Sequence, residues 1–351
     1  MKGRSVDSNP KHRFLKEELS QEVLWAVDEF DSKENINTKV IEVFPKTIIN
    51  EVKSSDLPFI YSLNPYQGCE HGCAYCYARP THEYWGYGAG IDFESVILVK
   101  KNAPALLEAE LRKPLKVVSP IVFSGNTDCY QPLERKLQIT RQLLQVCKEF
   151  RFPVSIITKN ALVLRDLDIL KEMAEQNLVS VTISITSVDE DLRKVLEPRT
   201  STYSNRFKAL QVLSKHNIPC GIMVAPIIPG LNDKDIPEVM KQASENGAKW
   251  MGYTIVRLND SVEPVFIQWL EKHFPNKKER VLELIRSCHN GQLHDTRAYS
   301  RFAGDGKVAE SIHQLIKILR KKYFTDKSEF LHNCNLYTGK KVGDWMQGSL
   351  F

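Results

Sequence analysis

Six short runs rich in β-branched and aromatic residues recur along the chain, and they constrain its fold more than any other feature. They lie at Phe59–Leu63, Ile121–Ser124, Val154–Thr158, Val179–Ile185, Gly221–Ala225 and Met251–Val256. Stretches with apolar residues at helical spacing separate consecutive runs, as at Leu143, Leu144 and Cys147. Strands that alternate with helices in this way form βαβ units with parallel strands and right-handed crossovers. The pattern predicts an α/β fold built on a parallel sheet.

Six such units form a full or partial barrel, or an open doubly wound sheet. In each of these folds, ligands bind beyond the carboxyl ends of the strands. The alternation stops after Leu258, and three further helical stretches follow at Glu263–Lys272, Asn276–Arg286 and Val308–Phe324. Residues 1–35 are polar and charged, which is typical of a poorly ordered arm. We therefore expect an N-terminal arm over 1–50, a core over 51–260 and a C-terminal helical extension over 261–351.

The composition is that of a soluble globular protein. Apolar residues make up 42% and charged residues 26% of the 351 residues, which excludes wholesale disorder. The net charge of +5 is too small to indicate a nucleic-acid or membrane-surface protein by itself. No apolar run approaches the roughly 18 residues of a membrane-spanning helix, and the first residues lack the apolar stretch of a signal peptide. We expect a cytoplasmic protein without membrane attachment.

Three of the eight cysteines lie close together, directly after the first predicted strand. Residues 64–77 read NPYQGCEHGCAYCY, in which Cys69, Cys73 and Cys76 have the spacing C-x3-C-x2-C. Gly68 and Gly72 permit the tight backbone that brings three thiolates to one centre. Thiolates bind iron–sulfur clusters and zinc. A four-iron cluster normally takes four cysteines, so three would leave one iron open to a small molecule.

Zinc is the alternative metal for this segment, with His71 or His82 completing a set of three cysteines and one histidine. Zinc sites usually combine two ligand pairs separated by a longer spacer, and no second pair occurs here. Three inert buried thiols are a further interpretation, but they would not require the two glycines or this spacing. The pattern favours an iron–sulfur cluster.

The cysteine segment and its flanks resemble the radical S-adenosylmethionine (SAM) superfamily. The stretch NPYQGCEHGCAYCYARPTHEYWGYGAGIDFE at 64–94 is similar to the group described as DNA repair photolyase-like, which includes relatives of spore photoproduct lyase. Within that group the chain is most similar to an uncharacterised subfamily, from KGR at 2–4 to QGSLF at 347–351. The resemblance implies a partial (β/α)6 barrel of the TIM type, with the cysteine segment at its carboxyl-end mouth.

The resemblance also implies cofactors and chemistry. Cys69, Cys73 and Cys76 would each bind one iron of a [4Fe–4S] cluster, and the amine and carboxylate of SAM would chelate the fourth. One electron, from a donor of the flavodoxin or ferredoxin class, would cleave SAM to a 5′-deoxyadenosyl radical that abstracts a substrate hydrogen. We expect a monomer with a solvent-excluding site, and nucleic acid is among the candidate substrates.

Three strand-end or loop residues are expected, by the same resemblance, to contact SAM. Tyr75, the aromatic residue before the third cysteine, would lie against the adenine. Lys159, at the end of the third strand, would pair with the methionyl carboxylate as a compact charge. Ser184, near the end of the fourth strand, would contact the ribose or the methionyl group. The alternative to a SAM contact is ordinary packing for Tyr75, and a solvated strand end for Lys159 and Ser184.

Four further residues complete the expected SAM contacts. Asn126 or Thr127, after the second strand, would accept a hydrogen bond from the methionyl amine, whereas Asp128 would cap the following turn. Val224 and Pro226, at the end of the fifth strand, would flank the adenine. The alternative for these two is the apolar core.

Two arginines and one cysteine are candidate catalytic residues. Arg199, in the sequence Glu197-Pro198-Arg199, would clamp an anionic group, or would pair with Glu197 or another acid. Arg301 begins the sequence RFAGDG, whose glycines indicate a tight turn near the mouth of the barrel. Cys129 is the cysteine nearest to the end of the second strand.

The end of the second strand also bears on the reaction. By resemblance, spore photoproduct lyase carries a cysteine there, which returns a hydrogen atom to its product radical. In this chain Gly125 or Asn126 occupies that position, and Cys129 lies beyond it. Because positioned chemistry is sensitive to displacements of about 1 Å, we expect no repair of spore photoproduct.

The sequence is therefore compatible with three functions. The favoured one is a radical SAM enzyme that abstracts hydrogen from an unidentified substrate, with a DNA-lesion lyase as its alternative. The second is a non-catalytic, zinc-stabilised nucleic-acid-binding protein, weakly permitted by Lys2, Arg4, Lys11 and Arg13. The third is an iron–sulfur electron carrier, which is disfavoured because the clusters of such carriers are fully ligated.

Overall fold

The computed structural model describes residues 3–14, 38–113, 115–324 and 330–342. Its strands in these residues are β1 (Lys39–Val43), β2 (Ile49–Glu51), β3 (Tyr61–Leu63), β4 (Tyr66–Gln67), β5 (Val96–Lys100), β6 (Ile121–Phe123), β7 (Val154–Thr158), β8 (Val179–Ser184), β9 (Cys220–Ile227) and β10 (Met251–Ile255). Seven of them form the main sheet, in the order β10-β9-β8-β7-β6-β3-β2.

The six parallel strands of the main sheet are the six that the sequence pattern predicted. β3, β6, β7, β8, β9 and β10 pair in parallel in chain order, and β2 pairs antiparallel with β3 at the edge. All six residues of β8, in the middle of the sheet, are buried, as expected where both faces are covered. β2 and β10 are opposite edges of the sheet, so the barrel is partial.

Helices cover the sheet and extend beyond it. They are α1 (Ile91–Ser95), α2 (Ala103–Leu111), α3 (Glu134–Leu137), α4 (Ile139–Glu149), α5 (Leu167–Ala174), α6 (Glu190–Leu196), α7 (Tyr203–Lys215), α8 (Ile236–Glu245), α9 (Val262–His273), α10 (Lys278–Cys288), α11 (Ser300–Ala303) and α12 (Gly306–Tyr323). α5, α7 and α8 pack on the central strands, since each joins two neighbouring parallel strands. Short 3-10 helices lie at Arg79–Trp85, Ala161–Asp166, Asp233–Asp235 and Pro275–Lys277.

The three helices expected after the alternation correspond to α9, α10 and α12. α12 packs against α8 and α10, and Arg320 Nη2 donates to Met251 O at 3.0 Å, so the C-terminal helices lie on the core. The division of the chain into arm, core and extension stays a prediction. None of the helices in the described residues is long and apolar enough to span a membrane.

A second, three-stranded sheet positions the cysteine segment. β1 pairs in parallel with β5, and β4 pairs antiparallel with β5 on its other side. β4 leads directly into Gly68 and Cys69. The sequence analysis did not predict β5, which lies between the first two units of the alternation.

The N-terminal residues differ from the expected disordered arm. Of residues 3–14, Arg4, Ser5 and Val6 are buried against the segment that follows the cysteines. Ser5 donates from its backbone N to Glu94 Oε2 at 3.1 Å and from Oγ to Oε1 at 2.6 Å. A polar stretch is buried here because its partners are polar and buried as well. Residues 15–37 lie outside the described residues.

Candidate active site at the cysteine segment

Two glycines shape the cysteine segment where it leaves β4. Gly68 has φ 81° and Gly72 has φ 63°, in the left-handed region that glycine adopts without cost. A Cβ at Gly68 would lie 2.6 Å from Val96 O, and one at Gly72 would lie 2.7 Å from Glu94 Oε2. The Cys69 N–H donates to Phe93 O at 2.8 Å. The segment is thereby held closely against residues 93–96.

The three thiols lie together in an apolar setting. Cys69 and Cys73 are buried and Cys76 is half-buried. Burial raises the pKa of all three, and each thiol is close enough to another to affect its titration. Backbone groups of Asp128 and Ala78 hydrogen-bond Cys69 and Cys76, which favours the thiolate form. A metal charge is the usual means of deprotonating such thiols.

The three thiols are not arranged around a single metal ion. In the described ranges no three Cys, His, Asp or Glu side chains converge on a point suited to a single metal ion. In a four-iron cluster each thiolate binds a different iron, so the thiolates stand farther apart than around one zinc ion.

The two histidines of the zinc alternative differ in their surroundings. His71 Nδ1 lies 3.4 Å from Asp128 Oδ2, and its Nε2 lies 3.2 Å from Asn160 Nδ2, so both ring nitrogens are engaged. The His82 ring packs against Tyr87 and Phe93, and burial lowers its pKa to about 4.

A buried ion pair supports the central cysteine. Arg79 donates from Nε and Nη2 to Cys73 O at 3.1 and 2.8 Å, and its Nη1 donates to Ala89 O and Gly90 O. Arg79 Nη2 also pairs with Glu94 Oε1 at 2.5 Å, and both side chains are fully buried. Because Ser5 donates to the same carboxylate, contacts run from the N-terminal residues to the Cys73 carbonyl. The sequence analysis did not identify Arg79 or Glu94.

Tyr75 and Lys159 meet beside Cys73. The Tyr75 hydroxyl donates to the buried carboxylate of Glu197, which also pairs with Arg206 Nη2 at 2.5 Å. Lys159 Nζ lies 5.7 Å from the centroid of the Tyr75 ring. Burial opposes the charge of Lys159, but Cys73 and Glu197 outweigh it and hold its pKa above the usual value. No carboxylate of the described residues is within ion-pair distance of this ammonium.

Asp128 ties the loop after β6 to β7. Its carboxylate accepts from the backbone N–H groups of Tyr130 and Lys159, each at 2.8 Å, and from Thr158 Oγ1 at 2.8 Å. Burial would raise the pKa of Asp128, but His71 and these N–H donors outweigh it and lower the pKa to about 2. Asp128 caps the turn, as expected.

Asn126 and Thr127 contact the loop that precedes the cysteines. Asn126 donates from its backbone N to Asn64 Oδ1 at 2.8 Å and from Nδ2 to Gln67 Oε1 at 3.3 Å. Its Oδ1 accepts no hydrogen bond from the described part of the chain. Thr127 Oγ1 donates to Tyr66 O at 2.6 Å, so this hydroxyl proton is already engaged.

The remaining predicted SAM contacts lie on β8 and β9. Ser184 ends β8, and its carbonyl accepts from Arg206 Nη1 at 3.0 Å. Val224 belongs to the main apolar core, and Pro226 is half-buried near the end of β9. No hydrogen bond within the described ranges joins these three residues to the cysteine segment.

The three candidate catalytic residues all make structural contacts. Cys129 is fully buried in the main core, where burial raises the pKa of its thiol. Arg199 Nη2 pairs with Glu70 Oε1 at 2.9 Å, since Glu197 is taken by Arg206.

Arg301 forms a two-point ion pair. Its Nε and Nη2 contact Asp56 Oδ2 and Oδ1 at 2.6 and 2.5 Å. This pairing lowers the pKa of Asp56. The guanidinium of Arg301 is therefore occupied by a carboxylate of the chain itself.

The chain is similar to known proteins in sequence and in structure. The model of the radical SAM superfamily matches residues 63–243. An uncharacterised protein of Mycobacterium tuberculosis is 34% identical over 248 residues, which are 70% of this chain and 73% of the relative. One of Methanocaldococcus jannaschii is 29% identical over 245 residues, 70% of this chain and 87% of the relative. Spore photoproduct lyase complexed with dinucleoside spore photoproduct is similar in structure, with a TM-score of 0.60, 15% identity and coverage of 82% and 80%.

Proposed function

The chain belongs to the radical SAM superfamily and is an enzyme of that class, and we propose that Cys69, Cys73 and Cys76 hold the [4Fe–4S] cluster that this superfamily uses with SAM. The observation that carries the proposal is the grouping of these thiols beyond the carboxyl end of β3, beside the ammonium of Lys159, which has no carboxylate of the described residues within ion-pair distance. In parallel α/β folds this end of the strands is where ligands bind. The reaction is hydrogen abstraction from a substrate.

The residues present fit a cluster. Two buried thiols and one half-buried thiol lie close together, backbone groups hydrogen-bond Cys69 and Cys76, and bound iron would supply the positive charge that three thiolates require. Arg79, by holding the Cys73 carbonyl, keeps the backbone between the ligands in place.

When bound, the cluster and SAM supply a one-electron reductive cleavage that yields a 5′-deoxyadenosyl radical. The ammonium of Lys159 binds the methionyl carboxylate, and Asn126 Oδ1 accepts a hydrogen bond from the methionyl amine. Glu197 holds the Tyr75 ring, whose face packs on the adenine. The reductant is an external one-electron donor of the flavodoxin or ferredoxin class.

Neither alternative function gains support from a particular contact. A DNA-lesion lyase of the spore photoproduct type would need a thiol at the mouth after the second parallel strand, and Cys129 is buried in the core instead. A zinc-stabilised binding protein would need four ligands around one ion; both ring nitrogens of His71 are engaged, and no three Cys, His, Asp or Glu side chains of the described residues are placed to hold one metal ion. Anaerobic reconstitution followed by assays of iron, sulfide and 5′-deoxyadenosine tests the proposal.

Lys159→Ala is expected to weaken SAM binding without loss of iron. A charged hydrogen bond to a carboxylate contributes about 1.5–3 kcal/mol, so the dissociation constant should rise by roughly tenfold to 150-fold. The measurement is a SAM titration of the reconstituted protein. Lys171→Ala, which removes an exposed ammonium on α5, should leave the affinity unchanged, and equal affinities of the two variants would contradict the role of Lys159.

Gly68→Ala is expected to reduce iron retention, and Gly86→Ala is its matched control. Both glycines have φ near 80°, so each alanine costs about 1–2 kcal/mol of backbone strain. Only the Cβ at Gly68 would collide with a backbone atom, Val96 O, whereas the space around Gly86 is open. Iron per chain after identical reconstitution should fall in Gly68→Ala alone. Equal iron in both variants would show that the tight loop is not needed.

A further inference from the structure

The two unpaired edges of the partial barrel are bridged by the C-terminal segment. α11 packs beside β10, and Arg301 reaches from α11 to Asp56 and to Ser54 Oγ, at 2.7 Å, in the loop between β2 and β3. Phe302, the next residue, lies under the guanidinium of Arg301 at 4.6 Å from ring centroid to guanidinium carbon. This bridge brings a second arginine, Arg257, close to the mouth.

Arg257 lies two residues beyond the last residue of β10, at the carboxyl end of the sixth parallel strand. Its guanidinium carbon lies 4.9 Å from the centroid of the Phe302 ring, so Phe302 contacts two guanidinium groups. Its Nη1 donates to Asp295 O at 3.0 Å, and no carboxylate of the described residues lies within ion-pair distance. Burial and the neighbouring Arg301 lower the pKa of Arg257, which nonetheless stays charged.

The nearby carboxylates are already engaged by other cations. Asp56 is paired with Arg301 at both oxygens, and Asp295 accepts from Arg297 Nε and Nη2 at 3.0 and 2.7 Å. A half-buried guanidinium with one backbone partner keeps several N–H donors for an anion. Arg257 therefore carries a charge that the surrounding side chains do not pair.

Tyr77 lies next to the cysteine segment and reaches the loop after β6. It directly follows Cys76, its hydroxyl donates to Gly125 O at 2.8 Å, and 55% of its side chain is exposed. Lys159, beside Tyr75, and Arg257, after the sixth parallel strand, are thus two cations at the carboxyl end of the sheet with no carboxylate of the described residues within ion-pair distance.

We infer that Arg257 binds an oxyanion of the substrate, carried as a phosphate ester or a carboxylate. The inference rests on the proposed function, in which Lys159 takes the carboxylate of SAM and leaves Arg257 to the substrate. A guanidinium binds either oxyanion through two parallel hydrogen bonds. The rings of Tyr77 and Phe302 offer apolar faces for the part of the substrate that carries the anion. The enzyme therefore acts on an anionic substrate.

The test uses reconstituted holoenzyme saturated with SAM and three probes of similar size: phenyl phosphate, benzoate and neutral benzyl alcohol. Calorimetric titration should show saturable binding of at least one anion, weakened about tenfold or more in Arg257→Gln and less in Arg257→Lys. The preferred anion identifies the oxyanion as phosphate or carboxylate. Benzyl alcohol should bind equally to wild type and Arg257→Gln. Arg286→Gln, which removes an exposed guanidinium on α10, should match wild type.

Equal anion affinity in wild type and Arg257→Gln would overturn the inference, as would the absence of saturable anion binding in wild type. Iron content and SAM affinity of Arg257→Gln are measured in the same preparation and should equal those of wild type. A wild-type protein that fails to load iron or to bind SAM would instead contradict the proposed function, so the two failures are distinguishable.

Discussion

Alanine in place of Cys69, Cys73 or Cys76 is expected to abolish both iron retention and 5′-deoxyadenosine formation. Each thiolate is one of only three protein ligands to the proposed cluster, so the loss of one leaves two irons without a protein ligand. Because metal binding depends on the complete set of deprotonated ligands, partial occupancy is not expected. Iron and sulfide per chain are measured after anaerobic reconstitution, and 5′-deoxyadenosine is measured with SAM and dithionite.

The matched controls are cysteines elsewhere in the fold. Cys147, Cys220 and Cys288 are fully buried in the main core, so their alanine variants lose only a small apolar group. These variants should keep the iron and the activity of wild type. A variant of Cys69, Cys73 or Cys76 that retains full iron content and activity would contradict the assignment.

Arg79→Met is expected to lower the free energy of unfolding by about 3–5 kcal/mol and to reduce iron retention. The substitution leaves the fully buried carboxylate of Glu94 without its cation, which is the costly way to break a buried ion pair. It also removes two hydrogen bonds to the Cys73 carbonyl. Urea unfolding of the purified protein measures the first effect, and iron per chain measures the second.

Two further variants isolate the contribution of this pair. Arg280→Met breaks an exposed ion pair with Glu283 and should change the free energy of unfolding by about 0–1 kcal/mol. The double variant Arg79→Met/Glu94→Leu removes both buried charges and should be more stable than Arg79→Met alone. A single variant as stable as Arg280→Met would show that the buried pair does not support the fold.

Much of the fold follows from periodicity, whereas the small sheet does not. The six parallel strands and the three C-terminal helices were predicted because apolar spacing reports which face of an element is buried. β5, VILVK at Val96–Lys100, is an apolar run of strand length, but it does not belong to the alternation of strands and helices from which the parallel sheet was predicted. Residues 3–14 look like a solvated arm because burial of Ser5 depends on Glu94, which is distant in the chain.

In the site, too, local sequence patterns could be predicted, whereas contacts between residues distant in the chain could not. Cys69, Cys73 and Cys76 could be predicted as a candidate metal site because their short spacing in the sequence is itself the signal. Lys159 could be predicted as a site residue because it lies at the end of a strand that the apolar pattern predicts. The partner of Arg199 is Glu70 rather than the neighbouring Glu197, and only the tertiary structure decides between them.

The electron paramagnetic resonance spectrum of the anaerobically reconstituted, dithionite-reduced protein, recorded with and without SAM, tests the central claim most directly. Three cysteine ligands leave one iron of a [4Fe–4S] cluster open, so SAM should change the signal of the reduced cluster. The account predicts a brown protein whose reduced cluster gives a signal that shifts on addition of SAM. A colourless protein that holds stoichiometric zinc, or a cluster signal that SAM leaves unchanged, would contradict it.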